Sequence, residues 1–247
     1  MLHGSGNPRF RDDDGSADPS AAAALSAFAA AQASEHATLS ALAGTRLLVP
    51  VVAVLSGEAA GLSDPADSAP AALRGEKNSE MAMPTLMGRD GRAAIPVFTS
   101  LESLARWQPA ARPVPAEAVQ VWQAAVQDSC AVIVDVAGPV PLAVEGARLT
   151  ALAEGRAVPL PHEDPDVRDA VAGLLADASA ALPAGSGTAG FALHPAPEDG
   201  DLLVEICAPA GLDPAAAQAF ATQVGSAILD RLGFRLRRGI AIALAQP

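Results

Sequence analysis

Hydrophobic positions along this chain come in blocks with different periods, and the blocks predict its elements. Residues 1–18 offer little to bury and carry the acidic run Asp12, Asp13 and Asp14, so a mobile tail is expected. Residues 19–44 are rich in alanine, with Pro19 placed for a first helical position and Gly44 for a stop. Leu25, Phe28, Ala29, Gln32, His36, Leu39 and Ala43 recur at helical spacing, which predicts one amphipathic helix able to dock on the rest of the chain or on a second copy. Residues 47–55 form a continuous apolar run that reads as a buried strand. Pro50 has no N–H for a ladder and pushes that strand towards a sheet edge or a bulge. Residues 56–75 contain several breakers and read as a long loop.

The densest pattern lies in residues 76–107. Met81, Met83, Thr85 and Met87 alternate with their neighbours, Asp90 and Gly91 supply turn chemistry, and Ile95, Val97 and Thr99 alternate again. That predicts a hairpin followed by a short helix capped by Ser100, with Glu102 in its first turn and Leu101, Leu104 and Ala105 facing inward. A hairpin returns the chain to its start. Asn78, Ser79 and Glu80 would then meet Thr99, Ser100 and Glu102 in one polar pocket, the candidate ligand-binding set. The competing reading makes the same groups caps and turn bonds.

Residues 109–115 read as a linker, and Val119, Trp122 and Val126 mark another helix. Residues 131–145 read as two strands around Gly138 and Pro139, followed by a helix closed by Gly155. A proline-rich stretch, residues 156–166, is the expected boundary between units. Beyond it Val167, Val171, Leu174, Leu175, Ala178 and Leu182 define a helix, two strands flank residues 197–201, and Asp213, Pro214 and Gly233 punctuate a last helix before a closing strand. The fold class is therefore α+β: two small domains, residues 45–155 and 165–247, each a mixed or antiparallel sheet packed with helices, preceded by the alanine-rich helix. The second is expected to run α-β-β-α-β.

Composition narrows the functions. Hydrophobic residues at 50% and charged ones at 18% favour a folded chain, whereas aromatics at 3% leave an aliphatic core and few platforms for stacking bases. A net charge of −12 repels phosphate backbones and anionic lipid, so neither nucleic acid nor a membrane surface is expected as a partner. Cys130 and Cys207 lie far apart in neither a metal spacing nor a dense framework, and reduced, buried thiols in a soluble cytoplasmic protein are expected. Residues 185–190, GSGTAG, match the dinucleotide fingerprint in letters. A helix precedes them and a strand follows, the reverse of the order that pyrophosphate binding needs. His3, His36, His162 and His194 show no paired ligand spacing. Asp135 and Glu145 on successive strands form a conceivable carboxylate pair, set against a solvent-facing or arginine-paired Asp135. No catalytic residue, cofactor or metal is assigned.

Three ordered segments carry a resemblance: residues 46–53, residues 77–107 with Val97, Phe98, Thr99 and Ser100 after the turn at Asp90, Gly91 and Arg92, and residues 132–146. They resemble the N-terminal domain of the SseB family, named for enhanced serine sensitivity, most of all its alanine-rich actinobacterial members. Residues 201–209 and the closing strand are similar to the family's C-terminal domain. Gly138 stands where the family often has asparagine before proline. The resemblance implies a two-domain cytoplasmic protein and transfers neither catalytic residues nor secretion. The expected role is a non-enzymatic interaction or regulatory module that presents the hairpin and its helix to a protein partner or small metabolite. The alternatives are an enzyme or sensor for an amino-acid-related metabolite at the polar end of the hairpin, and a homo-oligomer joined through the alanine-rich helix.

Overall fold

The computed structural model describes residues 10–55, 79–88, 91–183, 187–197 and 200–245. Two helices, α1 (Pro19–Ala29) and α2 (Glu35–Leu42), stand where one was expected. Asp18 caps α1 by accepting from the Ser20 and Ala21 amides, and Ser34 caps α2 by accepting from Ala37. Between them Ala31 takes a left-handed conformation, φ 56°, which folds the pair into a hairpin. Both helices then turn apolar groups inward: Ala21, Phe28, Leu39 and Leu42 belong to the first core. The face expected to dock on the rest of the chain or on a second copy is turned to the chain's own core.

The chain continues through β1 (Arg46–Leu55), β2 (Ser79–Ala82), β3 (Leu86–Met87), β4 (Ala93–Val97), α3 (Leu101–Trp107), β5 (Arg112–Glu117), α4 (Ala118–Gln127), β6 (Ala131–Val134), β7 (Leu142–Val144) and α5 (Gly146–Ala153). Strand β1 is the centre of an antiparallel sheet ordered β2-β1-β5, not an edge, and the expected linker before α4 is its strand β5. Both differences trace to where the prolines fall. Pro50 pairs with Pro113 and Leu48 with Pro115, while the Leu48 amide points away from β5 to the Phe98 carbonyl at 2.7 Å. By alternation none of the three prolines is asked to donate within the β1–β5 ladder. A second sheet, ordered β3-β4-β6-β7, is mixed, with β4 and β6 parallel. Its core includes Val97, Val132, Val134, Leu142 and Val144, closed by Val121, Trp122 and Ala125 of α4 and by Leu149 and Leu152 of α5.

The second unit comprises α6 (Pro165–Ala180), β8 (Gly190–His194), β9 (Leu202–Cys207), α7 (Pro214–Leu232) and β10 (Ile240–Leu244). This is the expected α-β-β-α-β order. The sheet runs β10-β9-β8, with β8 antiparallel and β10 parallel to the central strand. Its core, built on Val171, Leu175, Val204, Ile206, Val224 and Ile228, shares no buried residue with the first. The architecture is mixed α+β, with several small sheet-and-helix units. Cys130 is half-buried and Cys207 exposed, so the expectation of two buried thiols fails, and both are free. Among the described residues no helix is long and apolar enough to cross a membrane.

Candidate functional site

The corner between β4 and α3 uses each residue of the run Val97, Phe98, Thr99 and Ser100. Val97 is buried in the main core. Phe98 bridges to Leu48 through reciprocal backbone bonds of 2.7 and 2.9 Å, and its ring packs on Trp107 with centroids 5.3 Å apart. Thr99 donates both its amide, at 3.0 Å, and its hydroxyl, at 2.7 Å, to the Asp135 carboxylate. Ser100 caps α3 by accepting from the Ser103 amide at 3.1 Å, and Ser103 returns a contact to the Ser100 amide at 3.3 Å. Arg46 donates to the Thr99 carbonyl at 2.9 Å and pairs with Asp13 at 2.7 Å. The Gly15 carbonyl accepts from Leu101 at 2.8 Å. Gly15 has φ 78°, and a Cβ there would sit 2.3 Å from the Leu101 side chain, so only glycine fits. The segment from Phe10 onward, expected to be a mobile tail, is tied onto this corner.

The hairpin expected between Met81 and Thr99 is divided between two sheets. Its two arms pair near the turn, Leu86 opposite Ala94, and Gly91 takes φ 78°, while Asp90 lies outside the described residues. Strand β2 pairs with the far end of β1, Ser79 opposite Leu55 and Glu80 opposite Val54. Phe98 pairs with Leu48, so Ser79 and Glu80 lie about 20 Å along β1 from Thr99 and Ser100. The candidate set is therefore not gathered in one pocket. Thr99 and Ser100 are at the corner, Glu102 forms an exposed pair with Arg106 on α3, and Asn78 lies outside the described residues. The other carboxylate pair is also separated. Asp135 follows β6 in a left-handed turn, φ 50°, and Glu145 sits at the opposite end of the β6–β7 ladder, paired with Arg92. Asp135 is a clamp on Thr99 rather than a solvent-facing or arginine-paired group, a role that strand alternation could not reveal because the residue lies past the strand's end.

Sequence reading missed a cleft of about 730 Å³ between the two units, walled by α4, α5, α6 and the end of α7. A buried ionic cluster lies against it. Glu35 accepts from Arg148 and, at 2.9 Å, from Arg235, whose other arm reaches Asp164. All four residues are at most 5% exposed. Burial pushes the Glu35 carboxyl up, against the pull of Arg148 and Arg235, and pushes the Arg148 guanidinium down, against the pull of Glu35. Asp166 of α6 accepts from the Ala147 amide at 2.9 Å and so caps α5, which has no side-chain cap of its own. Gly146 permits this, because a Cβ would lie 2.0 Å from the Asp166 oxygen. Arg237 donates to the Phe28 and Ala29 carbonyls, both at 2.9 Å, with its guanidinium 5.4 Å from the Phe28 ring centroid. No common sequence signal marks the cluster: Arg148 lies inside α5, whereas Glu35 opens α2, Asp164 caps α6 and Arg235 follows α7.

The family model for the SseB protein N-terminal domain matches residues 22–151, just over half of the chain. The chain belongs to the SseB family. No curated protein and no solved structure matches it. The match runs from within α1 to within α5, so the corner of this SseB chain lies inside it whole. Glu35 and Arg148 also lie inside, whereas Asp164 and Arg235 lie outside. The ionic cluster thus ties the matched SseB domain to the unit that follows.

Proposed function

We propose that this SseB-family chain is a non-enzymatic, cytoplasmic interaction module that takes a protein partner along the stretch from Met81 to Met87. The observation that carries this reading is three exposed methionines on a pair of sheet edges. Met81, Met83 and Met87 are 51%, 55% and 67% exposed, and they lie in or between β2 and β3, each the outermost strand of its sheet. Flexible, polarizable methionine side chains adapt to differing partner surfaces, and an edge strand offers unpaired backbone groups for an added strand. The corner supports the same reading from the other side. The Thr99 hydroxyl is committed to Asp135 and the Ser100 hydroxyl to the α3 cap, which draws both away from a reactive or ligand-binding role. We also propose that the second unit is the family's C-terminal domain, on the likeness of residues 201–209 and the closing strand.

Photo-methionine incorporated into the chain and irradiated in cells tests the reading. Cross-links to one protein should map to positions 81, 83 and 87, and the Met81→Lys/Met83→Lys/Met87→Lys variant should lose that partner while its Tm stays within about 2 °C of wild type. Cross-links no more frequent at these three positions than at Met1, the chain's fourth methionine, would sink the proposal.

A further inference from the structure

We propose that the cleft between the two units binds a small molecule through an anionic group, a carboxylate or a phosphate, held by Arg231 and the guanidinium of Arg148. The chain as a whole carries a charge of −12, so an anion site needs a local concentration of cations, and four of its sixteen basic residues, Arg92, Arg148, Arg231 and Arg235, line this one cleft. Three have internal carboxylate partners: Arg92 with Glu145, Arg148 with Glu35, and Arg235 with Glu35 and Asp164. Arg231, exposed in the last turn of α7, takes no carboxylate partner among the described residues. Arg148 is 2% exposed, and its Nη1 is satisfied by Glu35 and the Ala143 carbonyl, but among the described residues its Nε–H is buried without an acceptor and its Nη2 takes none either. A buried guanidinium left partly unpaired is costly, and an acceptor reaching its Nη2 from the cleft would reduce that cost.

The positive end of α5 opens at the same place and already holds one carboxylate, that of Asp166 on the Ala147 amide. The site's electrostatics and backbone geometry therefore suit such a group. The walls are held by the ionic cluster, so little ordering is needed on binding. A volume of about 730 Å³ is within the range of small-molecule sites. Exposed Val126 and Phe234, also in the lining, offer contact to an apolar portion of the ligand. Of the lining carboxylates, Glu145 is paired with Arg92 and Asp166 is held by α5. That leaves Asp169 as the group that opposes an incoming anion.

The test is thermal shift and calorimetry on the full chain with inorganic phosphate, with succinate, and with sodium chloride at matched ionic strength. This site is independent of the methionine-bearing edge, so the Met81→Lys/Met83→Lys/Met87→Lys variant should respond as wild type does. Phosphate or succinate at saturation should raise Tm by more than about 2 °C where chloride does not, and whichever anion acts identifies the group as phosphate or carboxylate. Arg231→Gln, an exposed change that leaves the fold intact, should weaken binding about tenfold or more, and Asp169→Asn should tighten it. A wild-type response no larger than that to chloride, or an Arg231→Gln variant that binds as wild type does, overturns the proposal.

Discussion

Asp135 and Asp201 show what a single buried or half-buried carboxylate does in this chain. Asp135 satisfies two donors of Thr99 and so stabilises the corner. Asp201 is 8% exposed, with one oxygen accepting from the Arg238 amide at 2.8 Å and the other buried without a partner. Burial pushes its carboxyl up, against the pull of the Arg238 amide and charge. A carboxyl raised on folding binds its proton more tightly in the native state. Its contribution is therefore fully present below the unfolded value, near 3.8, and is lost as pH rises through the higher folded value. Asp201→Asn keeps an acceptor for Arg238 and removes the charge. Denaturant melts of the two proteins across pH 3 to 7, on the order of the carboxylate titration range, should show the variant gaining on wild type as pH rises. A gap that stays constant or narrows with rising pH would contradict the assignment.

At the scale of elements, the α1–α2 turn is held in a conformation its residue does not favour. Ala31 at φ 56° costs about 1 to 2 kcal/mol relative to a right-handed residue, whereas glycine reaches the same backbone without a Cβ clash. Ala31→Gly should raise stability by about 0.5 to 1 kcal/mol, read as a Tm higher by about 1 to 4 °C. An unchanged or lower Tm would mean the turn is not strained. This turn also shows why parts of the fold escape the sequence. Alanine carries no turn signal, and uninterrupted helix formers from Pro19 to Ser34 hide the break, although Ser34 and Glu35 together make a recognisable helix start. Proline misled in the opposite direction. Pro113 and Pro115 suggested a linker, but in β5 they occupy positions that do not donate to β1. The α-β-β-α-β unit was legible because Asp213 with Pro214 stands at a real helix start, Val167, Val171 and Leu175 recur at helical spacing, and the closing strand alternates in sequence, although the cap Asp164 with Pro165 was hidden in the expected linker. The candidate pocket was not, because the alternating stretch from Met81 to Thr99 reads the same whether its halves pair with each other or with different sheets.

For the whole molecule, what matters is that two separate apolar cores meet across an interface rich in charge. Glu35 and Arg148 come from the family-matched domain, Asp164 and Arg235 from the unit that follows, and each is nearly inaccessible to water. Ions in such a place contribute little net stability as a set, since desolvation offsets their attraction, but removing one strands another. Arg235→Met should cost about 3 to 5 kcal/mol in urea unfolding, because Asp164 and Glu35 would both lose a guanidinium. Pairing that change with Glu35→Gln should cost less than the sum of the two singles, the signature of residues sharing one network. Added salt to about 0.5 M should leave the wild-type cost nearly unchanged, since buried pairs are poorly screened. A single-variant cost under about 1 kcal/mol, or strict additivity, would mean the cluster is wet and loosely held. If the coupling is found, a fragment ending at residue 151 keeps Glu35 and Arg148 but loses Arg235, so it should be less stable than the same residues within the full chain.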